Sequence, residues 1–290
     1  MSHPTPGQRL RAAWQAASLM APGVINALMG RMAERLGYQA IYLSGAALSA
    51  SYCLPDIGLV TQTEFVAAAK AITDATNVPL ICDADTGFGE ALNLERTVRL
   101  FESAGVAAIH LEDQEMPKRC GHLSGKKLTD TSAMVSKIRA AVAARRDPHF
   151  VIIARTDARG VGKLDDAVAR AHAYLDAGAD MIFPEALESA AEFAAFAGQV
   201  KAPLLANMTE FGKSPILDFK DLTAIGYKII IYPVTSFRLA MKSAEDLLTT
   251  LQADGHQRNL LPRMLTRQEL YDYLDYTGYE ARDQSYFRAR

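Results

Sequence analysis

Between Glu115 and Gly125 the chain reads Glu-Met-Pro-Lys-Arg-Cys-Gly-His-Leu-Ser-Gly, placing a thiol (Cys120), two fixed cations (Lys118, Arg119) and an imidazole (His122) within five residues. Pro117 and the two glycines keep this segment out of regular helix or strand. A neighbouring Lys and Arg favour the thiolate and lower a thiol's pKa, and a nearby His can exchange its proton. The grouping therefore suits Cys120 to proton transfer or nucleophilic work. An isolated Cys is more often an inert small core residue; the charged, glycine-flanked setting argues against that here.

A second constellation is acidic. Asp83 and Asp85 flank Ala84, so in an extended segment their carboxylates point to one side, and Glu112, on the next run of strand type, can reach the same point. Three carboxylates without Cys or His ligands make an oxygen-rich, negative site suited to Mg²⁺ or Mn²⁺. The bland alternative is a set of salt-bridged surface aspartates. Arg119, Arg155 and, further along, Arg238 or Arg267 offer forked cations that grip carboxylates with two bonds. An acidic metal cluster with several arginines implies a small polycarboxylate ligand.

The elements that must position these groups are legible from periodicity. Short apolar or β-branched runs alternate with segments of helical period up to about residue 250, the pattern of βα units around a parallel sheet. Eight strands are expected, over residues 17–21, 40–44, 80–85, 107–112, 151–156, 181–185, 204–207 and 228–232. Helices are expected between them over 25–36, 62–76, 92–104, 132–145, 164–177, 189–200, 215–225 and 236–254, after a short helix around Trp14. Gly37, Gly105, Gly178 and Gly226 sit where left-handed helix ends need a residue without Cβ. Eight such units closing on themselves make an α/β fold, a (β/α)8 TIM barrel. An open doubly wound sheet would carry Gly-x-Gly-x-x-Gly after its first strand, where this chain reads Ala-Pro-Gly-Val-Ile-Asn. The chain is expected to be one domain over 1–290, with a C-terminal helical tail from about 255 that includes a helix near 267–275. A barrel enzyme builds its site from the C-terminal strand ends, and those are polar here: Ser44, Asp83 to Thr86, His110 to Asp113, Arg155 to Asp157, Glu185, and Asn207 to Glu210.

The 290 residues carry a formal charge of -2 and are 49% hydrophobic. The near-neutral balance leaves no footprint for nucleic acid and no basic face for a membrane. No apolar run is long enough to span a bilayer, and the polar start has no leader-like apolar stretch. A cytoplasmic protein acting on a small molecule is expected. Cys53, Cys82 and Cys120 have neither a disulfide pattern nor zinc spacing.

Taken together, Tyr42-Leu43-Ser44-Gly45, Asp83-Ala84-Asp85-Thr86-Gly87-Phe88-Gly89, His110-Leu111-Glu112-Asp113-Gln114, Lys118-Arg119-Cys120-Gly121-His122 and Asn207-Met208-Thr209-Glu210-Phe211-Gly212 resemble the isocitrate lyase and phosphoenolpyruvate mutase superfamily over nearly the whole chain. Isocitrate lyases are longer and usually carry Lys-Lys-Cys-Gly-His, so Arg119 and the compact length favour the methylisocitrate branch. The resemblance implies Mg²⁺-dependent retro-Claisen cleavage of (2S,3R)-2-methylisocitrate to pyruvate and succinate in propionate breakdown. It implies that Asp83 and Asp85 bind the metal, with Glu112 helping through water. Ser44, Gly45, Ala46, Asp56 and Arg155 would then meet the pyruvate-like end. Cys120, Gly121 and His122 would belong to a closing segment, and Glu185, Asn207, Thr209, Arg238 and Arg267 would line the succinate-like end. Where the family usually has glycines after Ser44-Gly45, Ala46 and Ala47 stand here, narrowing room and backbone choice.

In that reaction a base, Tyr42 or a metal-linked carboxylate, takes the substrate hydroxyl proton. Lys118, Arg119 and His122 accompany Cys120, with Arg119 and His122 stabilising the developing dianion while Cys120 returns a proton. Sister lyases acting on other 2-methylmalates and an oxaloacetate decarboxylase share the metal site; Cys120 disfavours the decarboxylase. A barrel that only binds a phosphorylated ligand would show a glycine-rich loop after strands seven or eight, and strand eight ends Tyr232-Pro233-Val234-Thr235-Ser236. The family resemblance also implies a homotetramer in which C-terminal helices are exchanged, and the aromatic tail 265–287 is amphipathic enough to dock.

Overall fold

A computed structural model describes residues 3–123 and 125–287; Ser124, within the Cys120 segment, lies outside the described residues. Eight parallel strands form: β1 (Leu19–Pro22), β2 (Ile41–Leu43), β3 (Leu80–Asp83), β4 (Ala108–Glu112), β5 (Val151–Thr156), β6 (Met181–Pro184), β7 (Leu205–Asn207) and β8 (Ile229–Tyr232). They pair in two arcs, β2-β3-β4-β5-β6 and β7-β8-β1. Single parallel bridges close the seams, Gly23 with Tyr42 and Ile182 with Leu204. The expected α/β barrel is the fold.

Alternation along each strand divides the core in two. Ile81, Ala108, Val151, Ile153, Met181, Leu205, Ile229 and Ile231 pack together with Leu10 and Trp14 of the N-terminal helix Pro6–Ala16. Their neighbours Ile41, Leu43, Leu80, Cys82, Ile109, Ile152, Ile182 and Ile230 pack with helix residues such as Phe65, Phe101, Ile138 and Phe193. Each fully buried Ile or Phe contributes roughly 1.5–3 kcal/mol from apolar transfer, so both faces of the sheet are held. Some helix starts are capped: Thr61 Oγ1 accepts from Glu64 N (3.3 Å) and Glu64 Oε2 from Thr61 N (2.7 Å), opening Gln62–Ala75. Gly105 and Gly178 take the left-handed φ of 79° and 104° that the turn into the next strand requires.

Several elements depart from expectation, among them the unexpected helices Ala158–Val161 and Tyr276–Phe287. A helix Gly45–Ser51 follows β2 directly, its first turn capped by Ser44 Oγ accepting from Ala47 N (3.3 Å). The expected helix from 215 begins only at Phe219 and ends at Ile225, because extended backbone at Asp218 precedes it. β3 ends at Asp83 rather than Asp85, since Asp85 turns to φ 46°.

Contacts divide the chain into two compact units, Met1–Phe237 and Arg238–Arg290. The second contains most of the helix Thr235–Asp254, a short 3-10 turn Arg258–Arg263, and helices Arg267–Leu274 and Tyr276–Phe287. Thr266 and Glu269 cap the third of these reciprocally (3.2 and 2.7 Å), and Tyr271 stacks on Tyr276 at 4.5 Å between ring centroids. None of its described residues is buried in the single chain. No described helix is long and apolar enough to cross a membrane.

Candidate active site

The C-terminal strand ends surround one cavity, entirely within the first unit. Tyr42 and Ser44 come from β2, Ala46 and Asp56 from the segment after it, Asp83 from β3 and Glu112 from β4. Lys118 to His122 follow β4, Arg155 ends β5, Phe183 and Glu185 end β6, Asn207 and Thr209 end β7, and Pro233 and Val234 follow β8. Fifteen of the residues expected from sequence are thus brought to one place. Gly45 is adjacent, its N–H donating to Asp83 Oδ2 at 3.1 Å, and Asp85 meets the cavity's Lys118 at 2.8 Å. Arg238 and Arg267 belong to the second unit, are exposed, and are not among the lining residues.

Ion pairs organise the floor. Arg155 Nε lies 2.9 Å from Asp157 Oδ2 and 3.4 Å from Glu112 Oε2, while its Nη1 lies 3.3 Å from Glu185 Oε2. The guanidinium also rests over the Phe183 ring at 5.1 Å. Burial alone would raise the acids, yet Arg155 outweighs it and holds the Asp157 and Glu185 carboxyls below the usual range, with Lys126 assisting Asp157 and His122 assisting Glu185. Glu185 further accepts from Asn207 Nδ2 (3.2 Å) and faces His122 Nε2 (3.1 Å). Because His122 Nδ1 accepts from Lys213 N (3.0 Å), the ring's proton sits on Nε2, toward Glu185.

The acidic corner differs from its sequence reading. Asp85, left-handed rather than extended, donates its N–H to Asp83 Oδ1 (2.9 Å) and turns its carboxylate to Lys118, which also pairs with Asp56. Among the described residues no three His, Cys, Asp or Glu side chains converge on a metal-sized point, so Asp83, Asp85 and Glu112 do not form a three-ligand cage. They do form an all-oxygen donor set, in which Lys118 meets Asp85, Arg155 meets Glu112, and nearby cations outweigh burial to hold the Asp83 carboxyl low. Burial pushes Asp85 up to about 6 and Glu112 higher than usual despite Lys118 and Arg155, and Glu112 Oε1 is buried with no hydrogen-bond partner among the described residues. A hard divalent cation fits such a set.

Two titrating groups also read differently. The thiol of Cys120 was expected to be lowered by its cationic neighbours; burial instead raises it, so the group stays a thiol at neutral pH. The Tyr42 phenol bonds His110 Nε2 at 2.7 Å, and burial, reinforced by Asp83, holds it well above its ordinary value. Burial lowers the His110 imidazole to about 4.

Sequence reasoning missed the apolar wall of Phe183, Pro233 and Val234, which had no polar marker. It also missed the supports behind the cavity. Gln114 clamps the Arg119 backbone, accepting its N–H (2.9 Å) and donating to its carbonyl (2.8 Å), and Lys126 pairs with Asp157 at 2.7 Å. Gln114 and Asp157 stood in polar strand endings and could have been singled out there.

Residues 10–252 match the family model described as phosphoenolpyruvate phosphomutase. The 2-methylisocitrate lyase of Aeropyrum pernix is 54% identical over 265 residues, 91% of this chain and 85% of that one. Among solved structures, a 2,3-dimethylmalate lyase superposes with a TM-score of 0.90 at 34% identity over 98% of this chain and 96% of its own. A phosphonopyruvate hydrolase complexed with oxalate and Mg²⁺ gives 0.88 at 32% identity, over 98% and 99%.

Proposed function

The chain belongs to the phosphoenolpyruvate phosphomutase family, and from that footing we propose that it cleaves (2S,3R)-2-methylisocitrate to pyruvate and succinate. One observation carries the reading. A thiol kept protonated by burial, Cys120, shares a cavity with the Arg155 guanidinium and with the Asp83 and Glu112 carboxylates. Proton donor, carboxylate clamp and cation site are the three parts a retro-Claisen cleavage of a polycarboxylate needs. The 54% identical relative named for this reaction supports the substrate.

Asp83 and Asp85 would hold Mg²⁺, with Glu112 contributing through water. When bound, the ion draws electron density from the substrate's oxygens and makes its hydroxyl more acidic. Arg155 borders the cavity with Nε and Nη2 bonded to Asp157 and Nη1 paired with Glu185, so its remaining Nη hydrogens are what it would offer a substrate carboxylate. The raised phenol of Tyr42 holds its proton, so Tyr42 orients substrate oxygen by hydrogen bonding and a carboxylate is the better base. As the C2–C3 bond breaks, its electron pair passes into the succinate-like fragment. Arg119 and His122 face the developing charge, and the Cys120 thiol gives its proton to that carbon.

The unit 238–290 supports an oligomer. Leu239, Leu248, Tyr279 and Phe287 are 66–73% exposed in the single chain, more apolar surface than a solvated tail needs. We read it as packing on a neighbouring subunit of a cytoplasmic homotetramer; a monomer by light scattering would remove that part.

The test is pyruvate release from 2-methylisocitrate with Mg²⁺, beside isocitrate, 2,3-dimethylmalate and oxaloacetate, repeated with chelator. Chelator-sensitive release chiefly from 2-methylisocitrate is expected. Release chiefly from 2,3-dimethylmalate would move the chain to the chemistry of its structural neighbour, with Ala46 the first wall residue to exchange.

A further inference from the structure

We propose that Lys126 is a positioning residue that latches the Cys120 segment over the cavity from behind. Its side chain has no exposed surface, and its ammonium donates to the carbonyl of Gly121, the residue after the thiol, and to Asp157 Oδ1 at 2.7 Å. A buried ammonium is costly unless closely paired. Here its donors go to one fixed carboxylate and one carbonyl of the reactive segment, so the pairing ties that segment to the barrel.

The anchor does not give way easily. Asp157 is gripped by Arg155 through Nε (2.9 Å) and Nη2 (3.2 Å), and its N–H donates to Asp113 Oδ1 at 2.8 Å. Asp113 in turn accepts from Thr156 Oγ1 (2.8 Å), Tyr174 OH (2.7 Å) and Arg170 Nη1 (3.2 Å). A continuous set of hydrogen bonds therefore runs from the helix Leu164–Asp176 to the peptide beside Cys120. Neither Lys126, Asp157 nor Asp113 lines the cavity.

The space for the ammonium is itself built. A Cβ at Gly160 would stand 2.5 Å from Lys126 Nζ and 3.2 Å from its Cε, so any side chain there would displace the amine. The same glycine's carbonyl accepts from Lys213 Nζ (3.1 Å), and the Lys213 N–H seats His122. The Gly121 carbonyl and the His122 ring are thus both held by groups that need not touch substrate. Without the ammonium, the Gly121 carbonyl loses this partner, Asp157 Oδ1 keeps only the longer bond from Arg155 Nη2 (3.2 Å), and the segment opens more often.

The test compares the wild type with Lys126→Met in labelling by iodoacetamide, read peptide by peptide by mass spectrometry. Exposed Cys53 serves as the reference within the same chain. The Cys120 to Cys53 labelling ratio should rise about tenfold, the shift expected when a charge-assisted hydrogen bond is lost from the closed form. Turnover should fall by a similar factor with KM within about threefold, since the effect is on the donor's placement. Gly160→Ala keeps the charge and disturbs only its seat; it should move both readouts the same way, and its labelling ratio decides for or against the latch if circular dichroism shows that Lys126→Met does not fold. An unchanged labelling ratio in a folded variant overturns the latch, as does a raised ratio with unchanged turnover. The kinetic arm rests on the proposed lyase reading. Labelling needs no substrate, so the latch stands or falls by the ratio even if 2-methylisocitrate is not the substrate.

Discussion

Replacing Arg155 by Met removes the cation shared by three carboxylates, Glu112, Asp157 and Glu185, whose side chains are 1%, 0% and 2% exposed. Leaving buried charge uncompensated costs about 3–5 kcal/mol. At roughly 2–4 °C per kcal/mol for a domain of this size, the melting temperature at pH 7.5 should fall by about 10 °C. The pH dependence carries the sharper test. In the wild type the Asp157 and Glu185 carboxyls are held low, so their stabilising contribution is present above the ordinary carboxylate pKa and is lost as pH falls through the lowered values. In Arg155→Met only burial and weaker partners remain, the same carboxyls move up, and the variant loses stability as pH rises through them. The gap between the two proteins should therefore be widest near neutrality and shrink toward pH 4.5. Thermal melts by circular dichroism at several pH values measure it. A gap that stays constant across that range, or a drop under about 3 °C at pH 7.5, would refute the electrostatic account. Arg155→Lys, which keeps charge without the fork, should recover only part of the loss.

Cys120→Ser should lower kcat by about 10²–10⁴ while leaving substrate affinity within threefold; affinity lost in step with rate would argue against the thiol as acid. Tyr42→Phe removes the 2.7 Å bond to His110 and should reduce turnover about tenfold with the fold intact, read from steady-state rates beside a melting curve. Gly121→Ala would put a methyl against Glu185 and 2.5 Å from Arg155 Nη2, so pyruvate release should drop at least tenfold; near-normal rates would show that the segment does not press on the pair as described.

All eight strands lie within two residues of where hydrophobic runs put them, because parallel strands buried on both faces are read directly from apolar continuity. The helix Gly45–Ser51 escaped because Gly-Ala-Ala-Leu-Ser-Ala-Ser has little amphipathic period; Ser44's cap and the bond from Gly45 N–H to Asp83 hold its first turn. Most of the cavity was legible because charged residues at barrel strand ends have few structural reasons to be there. What could not be read was burial. The sequence around Cys120 shows its cations but not that Lys118 is committed to Asp56 and Asp85, nor that desolvation decides the thiol's protonation. Asp85 likewise looked extended beside Asp83, and only the turn at its own φ sends it to Lys118. Lys126 carried no signal at all, since a lysine among Gly-Lys-Lys reads as solvated until Asp157 and Gly121 are seen beneath it.

The two strand arcs divide the cavity by charge. Every charged side chain lining it stands on or after β2 to β6, whereas β7 and β8 contribute only Asn207, Thr209, Pro233 and Val234. Apart from Phe183 on β6, the larger uncharged lining residues are thus carried by a separate three-stranded arc, joined to the ionic one at each seam by a single bridge. Changes of volume on that arc can alter which small molecules are admitted without touching the ion pairs of the other arc. A scaffold partitioned in this way can diversify its substrates while keeping one chemistry.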